Sequence, residues 1–295
     1  MDIKQLRFLD ALAVEKHFGR AAAACCVTQP TLSLRIRQLE EELGLPLILR
    51  GNRYEGLTAE GERVVAWARR VLANYEGLYQ DVAVMKGQLS GSLRLGVVPS
   101  ALPFVASLTT PFLARYPDVA VVSKSMSAEE IAHGLDEFTL DAGIAYLTEE
   151  LPESLRRLTL YHETYVALVP DKPGFPEGTQ ISWREAAALP LCLLTEGMYN
   201  RRIIENTFAG VGCTVRSQFQ SNSILTLYAH VRSGRWATIV PAYHAQLVGH
   251  LEGLRSLALV EPAVSHPVGL VWRDAEPLSP VVAALCDIAA GHVVP

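Results

Sequence analysis

The stretch that most constrains the fold is residues 19–44, GRAAAACCVTQPTLSLRIRQLEEELG. Alanine is the strongest helix former and lets helices approach closely, so the run 20–25 predicts a short helix. Pro30 suits a first helical turn and Gly44 a helix end, which predicts a longer helix from Gln29 to about Leu43. Its apolar residues recur at helical spacing on one face: Leu32, Ile36, Leu39 and Leu43. The segment therefore predicts two helices joined by a tight turn.

This layout is typical of a helix-turn-helix, whose second helix offers its N-terminal residues to base edges in the DNA major groove. The side chains that face away from the apolar stripe carry amide, hydroxyl and guanidinium groups for bases and phosphates, and Leu34 suits a thymine methyl group. The predicted contacts are Thr28, Gln29, Pro30, Thr31, Ser33, Leu34, Arg35 and Arg37. The next run, 47–58, predicts a β-hairpin wing that carries Arg50 and Arg53 toward phosphates.

The alternative is an ordinary helix pair in a globular core. The window 16–37 argues against it, because it contains Lys16, Arg20, Arg35 and Arg37 and no acid. The basic side chains thus lie where phosphates would be, and the acids 40–42 lie at the far end of the helix.

The series QLRFLDALAVEKHFGRAAAACCVTQPTLSLRIRQLEEELGLPLILR resembles the N-terminal domain of LysR-type transcriptional regulators. The match is dense here and looser beyond. Two positions depart from the family pattern: Ile48, where phenylalanine is usual, and Leu34, where many members are polar or basic. The resemblance implies a homodimer, associating into a homotetramer, that binds an interrupted inverted repeat in double-stranded DNA and affects RNA polymerase.

Bulk properties agree with a multi-domain globular protein. At 295 residues the chain exceeds one comfortable core, and 19% charged residues argue against disorder. The net charge of −5 does not exclude DNA binding, because an acidic effector domain can hide a locally basic face. No apolar run is long enough to span a bilayer and no signal-peptide pattern opens the chain, so a cytoplasmic protein without membrane contact is expected.

The sequence has five cysteines, an odd number that argues against a disulfide framework. Their spacing suits no metal, and neither a metal nor another cofactor is expected. Cys192 and Cys213 are the candidates for a redox pair, as in the peroxide-sensing branch of the family, which makes a thiol-sensing regulator the alternative function. Against it, Cys192 sits in an apolar run and no basic residue flanks either thiol.

A long helix is predicted from Thr58, its N-cap, to about residue 88. Apolar residues alternate along it by four and three, as in a coiled-coil seam: Val64, Ala68, Val71, Tyr75, Leu78, Val82 and Met85. A single buried helix would show the same pattern. Its place between a DNA-binding head and a larger domain favours pairing with a second chain, with 89–92 as the hinge.

Beyond residue 91 strands alternate with helices, which predicts parallel sheets joined by helical crossovers. The fold class is therefore α/β: a winged helix-turn-helix over 1–58, a dimerisation linker over 59–90 and an effector domain over 91–295. The order of elements suggests subdomain I at about 91–162 and 267–295 and subdomain II at about 163–266. This arrangement is similar to the family's effector domain, which resembles periplasmic binding proteins.

A small-molecule effector is expected between the subdomains, because ligands of open α/β sheets bind beyond the carboxyl ends of strands, near helix N-termini. Each small hydroxyl there is also an ordinary helix cap, so their joint position carries the hypothesis. The predicted contacts are Pro99, Ser100, Ala101, Ser125, Ser127, Tyr146, Thr195, Asn200, Arg201, Arg202, Asn222 and Ser223. Helix N-termini and arginines favour an anion. The sequence lacks the nucleotide, zinc-protease and serine-hydrolase motifs, so no enzyme is predicted.

Overall fold

The computed structural model describes residues 1–50, 54–248 and 253–291. The N-terminal head contains α1 (Ile3–Glu15), α2 (Phe18–Ala24), α3 (Gln29–Leu43), β1 (Ile48–Arg50) and β2 (Tyr54–Leu57). The strands β1 and β2 pair antiparallel, as predicted for a wing. Leu32, Ile36 and Leu39 of α3 are buried with Leu9 and Leu12 of α1, so the apolar stripe of α3 forms the core of the head.

Local signals define both ends of α3. The Thr28 side chain accepts a hydrogen bond from the Thr31 N–H, and Pro30 lies in the first turn. Gly44 ends the helix with a φ of 69°, which a residue with a side chain rarely adopts. The buried Glu40 then holds the wing, because its carboxylate accepts from the Leu47 N–H at 2.8 Å. The orientation of α3 relative to the wing is thus fixed by side chains of α3 itself.

The linker helix α4 (Ala59–Met85) has two apolar faces. Val65, Ala68 and Leu72 are buried in the core of the head. On other faces of the helix, large apolar side chains are exposed: Trp67, Val71, Leu78, Val82 and Met85. Of the predicted seam, Ala68 faces the head and is only 1% exposed, because this end of α4 packs on α1.

The effector region begins with β3 (Gly91–Val97), a 3₁₀ turn (Pro99–Phe104), α5 (Val105–Arg115), β4 (Val119–Ser125), α6 (Ala128–Asp136), β5 (Ala142–Tyr146), β6 (Leu155–Glu163) and β7 (Tyr165–Pro170). It continues with β8 (Gln180–Ser182), α7 (Trp183–Ala186), β9 (Cys192–Leu194), α8 (Tyr199–Gly210), β10 (Phe219–Ser221), α9 (Ile224–Arg232) and β11 (Thr238–Pro241). The last elements are α10 (Ala242–Val248), β12 (Leu254–Val260), β13 (His266–Arg273) and α11 (Pro280–Ala290).

Within the described residues, the first sheet has the strand order β4-β3-β5-β13-β6 and the second has β11-β7-β12-β8, with β9 and β10 pairing beside it. The chain passes from the first sheet to the second at Thr164 and returns between β12 and β13. Both sheets are mixed, whereas the sequence analysis predicted parallel sheets. The strands next to the two crossings cause the difference, since β13 runs antiparallel to β5 and β6, and β12 antiparallel to β7.

Helix α6 lies close against the first sheet because the sheet carries glycine beneath it. A Cβ on Gly143 would collide with the Ile131 side chain, and a Cβ on Gly96 would meet both Ile131 and Leu140. The Ser127 side chain and Glu130 form a capping box at the start of this helix. The N-terminus of α6 is therefore held firmly at the edge of the first sheet that faces the second.

One arginine of the linker helix connects the head to the effector region. Arg69 Nε donates to Asp10 Oδ1 of α1 at 2.7 Å, and Arg69 Nη1 also contacts the carboxylate of Glu137 at the end of α6. Farther along α4, Ser279 Oγ donates to Gln80 Oε1 at 2.7 Å. The linker helix thus carries polar contacts to both of its neighbours. No helix of the described chain is both long and apolar enough to cross a bilayer.

Candidate DNA-binding surface and effector cavity

The exposed face of α3 holds the residues that the sequence assigned to DNA. Thr28, Gln29, Pro30, Thr31, Leu34, Arg35 and Arg37 are exposed, and Ser33 is half-buried. Leu34 is 56% exposed, which is unusual for a leucine and leaves an apolar contact free. Arg35 makes one long ion pair, 3.7 Å to Asp2, and its guanidinium stays 44% exposed. Arg50 ends β1, and Arg53 lies outside the described residues.

A cavity of about 430 Å³ lies between the first and second sheets. Its walls come from the turn after β3, the start of α6, the end of β5, the following loop and the start of α8. The lining residues are Val98, Pro99, Ser100, Ser127, Ala128, Glu129, Ala132, Tyr146, Thr148, Glu150, Leu151, Pro152, Leu194, Gly197, Met198, Tyr199, Asn200 and Arg202. A volume of this size suits a small organic molecule.

The structure brings part of the predicted effector set together. Pro99, Ser100, Ser127, Tyr146, Asn200 and Arg202 line the cavity. The other members lie elsewhere: Ala101, Ser125, Thr195, Arg201, Asn222 and Ser223. Two of these have other bonding roles, because buried Arg201 donates to the Leu194 carbonyl at 2.7 Å and pairs with Glu205, and Ser223 caps α9.

Beneath the cavity lies a buried carboxyl that the sequence analysis did not identify. Glu163, only 2% exposed, accepts hydrogen bonds from the hydroxyls of Tyr146, Tyr161 and Tyr165. The Tyr165 Oη to Glu163 Oε1 distance is 3.0 Å. Asn200 Nδ2 donates to Tyr146 Oη at 3.3 Å, which ties α8 of the second sheet's side to β5 of the first sheet. The signal in the sequence was an acid between two tyrosines, YHETY.

Burial governs the ionisation of this cluster. It raises the pKa of Glu163 to about 7, although hydrogen bonds from the three tyrosines lower it. Burial also raises the pKa of Tyr146, with the charge of Glu163 adding to the rise, so its hydroxyl keeps its proton and donates it. Near neutral pH the cluster therefore holds a carboxyl poised between its two forms.

One polar atom at the cavity, Asn200 Oδ1, has no hydrogen-bond partner among the described residues, and Asn200 is only 3% exposed. Ser100 is equally buried, but its hydroxyl lies beside the Glu163 carboxyl, whose pKa it lowers. Buried polar groups are nearly always satisfied, so an orphan at a cavity marks a place where a ligand or water completes the bonding. This observation distinguishes the cavity from a mere packing gap.

The charges at the mouth of the cavity are mixed. Arg202 Nη2 lies 3.0 Å from Glu150 Oε2, and its guanidinium carbon lies 4.9 Å from the centre of the Tyr199 ring. Glu129, in the first turn of α6, is exposed. At the start of α8 the N-cap residue is Met198, which provides no side-chain cap, so the first backbone N–H groups of that helix are left to other partners.

The two cysteines considered for a redox pair lie in different surroundings. Cys192 is fully buried in a cluster with Leu194 and Ile224, and burial raises the pKa of its thiol to about 11. Cys213 is half-buried and packs against the larger core cluster. Among the described residues, no group of histidine, cysteine and acidic side chains has a geometry that would hold a metal ion.

Comparison with known proteins assigns both parts of the chain. Residues 3–62 match the model of the bacterial regulatory helix-turn-helix protein, lysR family, and residues 86–293 match that of the LysR substrate binding domain.

One curated relative is the hydrogen peroxide-inducible genes activator of Haemophilus influenzae, which is 28% identical over 279 residues, covering 94% of this chain and 92% of that protein. Among solved structures, a full-length OxyR variant from Pseudomonas aeruginosa superposes with a TM-score of 0.77 at 27% identity, covering 98% of this chain and 94% of that one. CbnR in complex with its target DNA has the same fold, with a TM-score of 0.72 at 21% identity over 99% of this chain and 100% of that one.

The winged head with its exposed α3 face, the linker helix and the two-sheet domain each agree with these matches, and the chain belongs to the LysR family of DNA-binding transcription regulators.

Proposed function

We propose that this chain regulates transcription by binding promoter DNA as an oligomer, under the control of a small molecule held in the cavity between the two sheets. The observation that carries the proposal is the unsatisfied buried atom Asn200 Oδ1, at a cavity lined from both sheets. A ligand there would contact both sheets at once, so it would favour one relative arrangement of them.

The DNA-binding half of the proposal rests on the exposed face of α3. Its hydroxyl, amide and guanidinium groups, with Leu34, suit base edges and phosphates. In this proposal Arg50 and Arg53, from the wing segment of the sequence, would contact phosphates. We assign this role to residues 1–58, the linker to 59–90 and effector control to 91–295, with subdomains that meet near residues 162 and 266. The regulatory role requires no enzymatic step and no cofactor, and the protein would work in the cytoplasm.

Oligomer formation is supported by the exposed apolar side chains of α4. Trp67, Leu78 and Met85 are 62%, 59% and 83% exposed, a pattern that pairing with a second copy of the helix would remove. A dimer would place two copies of α3 on an interrupted inverted repeat. Association of effector domains into a tetramer would let the ligand change DNA bending and the recruitment of RNA polymerase.

An anionic group on the effector is supported by the start of α8. The uncapped N–H groups of this 12-residue helix and its positive dipole end favour a carboxylate or inorganic oxyanion. Arg202 adds little to this, because Glu150 already neutralises it.

A second candidate function is peroxide sensing through thiols, which is favoured by the similarity to the hydrogen peroxide-inducible genes activator of Haemophilus influenzae. The chain's own chemistry favours it less. The raised pKa of Cys192 keeps that thiol protonated and slow to oxidise, and a tyrosine, Tyr199, starts α8 where the reactive cysteine of the peroxide branch is expected. Operator footprints of the reduced and peroxide-treated protein separate the two functions: a change that Cys192→Ser with Cys213→Ser abolishes would establish the thiol mechanism.

The test of ligand control uses the full chain and operator DNA selected from a random library. We expect an interrupted inverted repeat, and a footprint that changes when the small-molecule fraction of a bacterial extract is added. Ala132→Trp, which fills the cavity, should bind the same DNA without responding to the extract. An unaltered response in Ala132→Trp would place the effector elsewhere.

A further inference from the structure

The hydrogen-bonding state of Asn200 can be read from its neighbours. When Glu163 is ionised, its carboxylate can only accept, so Tyr146 gives it the hydroxyl proton. The Tyr146 oxygen then accepts from Asn200, which makes Nδ2 the atom that faces it. The other end of the amide, Oδ1, is then an acceptor that is buried at the cavity without a donor. A ligand that completes this site must itself carry an N–H or O–H donor.

The acceptor Asn200 Oδ1 lies next to hydrogen-bond donors, the backbone N–H groups at the start of α8. Met198, Tyr199 and Asn200 line the cavity at the start of α8, where no side chain caps the backbone N–H groups. The same turn of helix thus offers backbone donors with a positive dipole end and one side-chain acceptor. A ligand that has an anionic acceptor and a hydrogen-bond donor on neighbouring atoms would satisfy both kinds of group.

The sign of the donor follows from the surrounding charge. Glu163 lies one hydroxyl away from Asn200, and Glu129 lies at the rim without an ion-pair partner among the described residues. The Tyr146 ring, whose centre lies 4.7 Å from that of Tyr199, presents aromatic surface beside Asn200. The Tyr199 ring already packs against the guanidinium of Arg202. Carboxylates and ring faces both attract a cation, so an ammonium fits this side better than a neutral hydroxyl.

From these contacts, and building on the effector-gated function proposed above, we infer that the ligand is a small zwitterion of the α-amino-acid type. Its carboxylate binds the uncapped start of α8, and its ammonium donates to Asn200 Oδ1. Its side chain is apolar and lies against Val98, Ala132 and Leu151, in a cavity of about 430 Å³ whose lining is mostly apolar. A plain carboxylate would leave Asn200 Oδ1 without a donor, and a plain amine would leave the helix start without an acceptor.

The test is calorimetric titration of the full chain with two matched sets of probes. The first set is L-leucine, 4-methylpentanoate, which lacks the ammonium, and 3-methylbutylamine, which lacks the carboxylate. The second set is L-phenylalanine, 3-phenylpropanoate and 2-phenylethylamine. We expect at least one of the two amino acids to bind, and each of its truncated forms to bind at least about tenfold more weakly, as expected when a buried polar partner is removed.

The inference is overturned if neither amino acid binds at millimolar concentration, or if either truncated form binds as tightly as its parent. Asn200→Leu should weaken the amino acid at least about tenfold, by the same loss of a buried partner, and leave the carboxylate-only probe unchanged. Asn206→Leu, a matched change on the exposed side of α8, should leave binding as in the wild type. Glu163→Gln, which keeps the shape of the side chain but not its charge, should weaken the amino acid and not the carboxylate-only probe.

Asn200→Leu also removes the hydrogen bond to Tyr146, so its thermal melt is recorded with each titration. If it melts like the wild type and still binds the amino acid equally well, Asn200 does not bind the ammonium and the inference fails. Footprinting keeps this result separate from the function proposed above. An amino acid that binds without altering the footprint would contradict control of DNA binding and leave the ligand class intact, whereas tight binding of a plain carboxylate that alters the footprint would do the reverse.

Discussion

Helices α3 and α8 both begin at a proposed binding surface, but their first turns differ. Thr28 caps α3, so its first turn is satisfied internally and only its side chains face outward. Met198 leaves the first turn of α8 open, so its backbone is available to whatever enters the cavity. In the function proposed here, the side chains of α3 would read a pattern of bases, whereas the peptide dipoles at the start of α8 would hold a charged group.

The largest expected effect concerns the cavity alone and comes from pH. Because the folded pKa of Glu163, about 7, lies above its ordinary value of 4.5, the protonated carboxyl stabilises the fold at low pH. That stability falls as pH rises from about 4.5 to about 7 and then levels, a loss on the order of 3 kcal/mol. Denaturant unfolding of the wild type and of Glu163→Gln across this range should differ by that slope. Parallel curves would show that Glu163 is ionised throughout.

The side-chain character of the α3 surface is tested by Arg35→Ala. The exposed guanidinium makes one weak contact in the protein, so its removal should spare stability and lower operator affinity by about tenfold to a hundredfold. Fluorescence anisotropy at several salt concentrations measures both the loss and the number of phosphate contacts. Arg115→Ala, at the end of α5, is the matched loss of charge. Equal affinities for Arg35→Ala and Arg115→Ala would remove α3 from the interface.

Met198→Ser adds a side-chain cap to α8 and so makes its first turn resemble that of α3. The new hydroxyl satisfies a backbone N–H and competes with the ligand's carboxylate, so calorimetry should show binding of the amino acid weakened by about fivefold, equivalent to about 1 kcal/mol. Met198→Leu keeps the apolar volume and adds no cap, and it should bind as the wild type does. Operator affinity should be the same in both variants.

The reciprocal change, Thr28→Ala, removes the cap of α3. The unfolding free energy should fall by about 1 kcal/mol, a typical cost of losing a threonine cap, while ligand affinity stays constant. Denaturant unfolding and calorimetry on the same preparation check both parts. A loss of ligand affinity would mean that the head and the cavity are coupled even without DNA.

The effect that joins the two regions is expected for Arg69→Ala. The side chain is 13% exposed and contacts Asp10 of the head and Glu137 of the effector region, pairs that together stabilise the fold by about 1 kcal/mol. Ligand should still bind, but the change that it causes in the operator footprint should shrink. Arg63→Ala, exposed on the same helix, is the control. A full footprint response in Arg69→Ala would show that the signal bypasses this contact.

The sequence predicted the approximate bounds of α3 because every signal for it is local. The apolar spacing of Leu32, Ile36 and Leu39, the early Pro30 and the terminal Gly44 all lie within one helix. Strand β6 has no clear alternation of apolar residues, because Arg156 and Arg157 interrupt it. The antiparallel direction of β13 beside it was not predicted. Strand direction depends on which segments pair, and no single stretch of sequence records that.

For the cavity too, local signals were predicted and contacts between distant segments were not. Ser100 and Asn200 were found because strand ends and helix starts mark them, but the same rule also selected Thr195 and Asn222, which do not line the cavity. Glu163 was missed because its partners arrive from three strands and it looks like a surface acid in the sequence. Its meaning depends on burial, which is a property of the folded chain.

The position of Glu163 has a consequence for how the two sheets move. It is the last residue of β6 and stands next to Thr164, one of the two places where the backbone passes between the sheets, while its partner Tyr165 opens β7. A rotation that brings the two sheets closer around a bound ligand would therefore have its axis near the buried Glu163. Water access to that acid changes with the angle, so closure should be accompanied by proton exchange with the solvent, and its heat should depend on the ionisation enthalpy of the buffer.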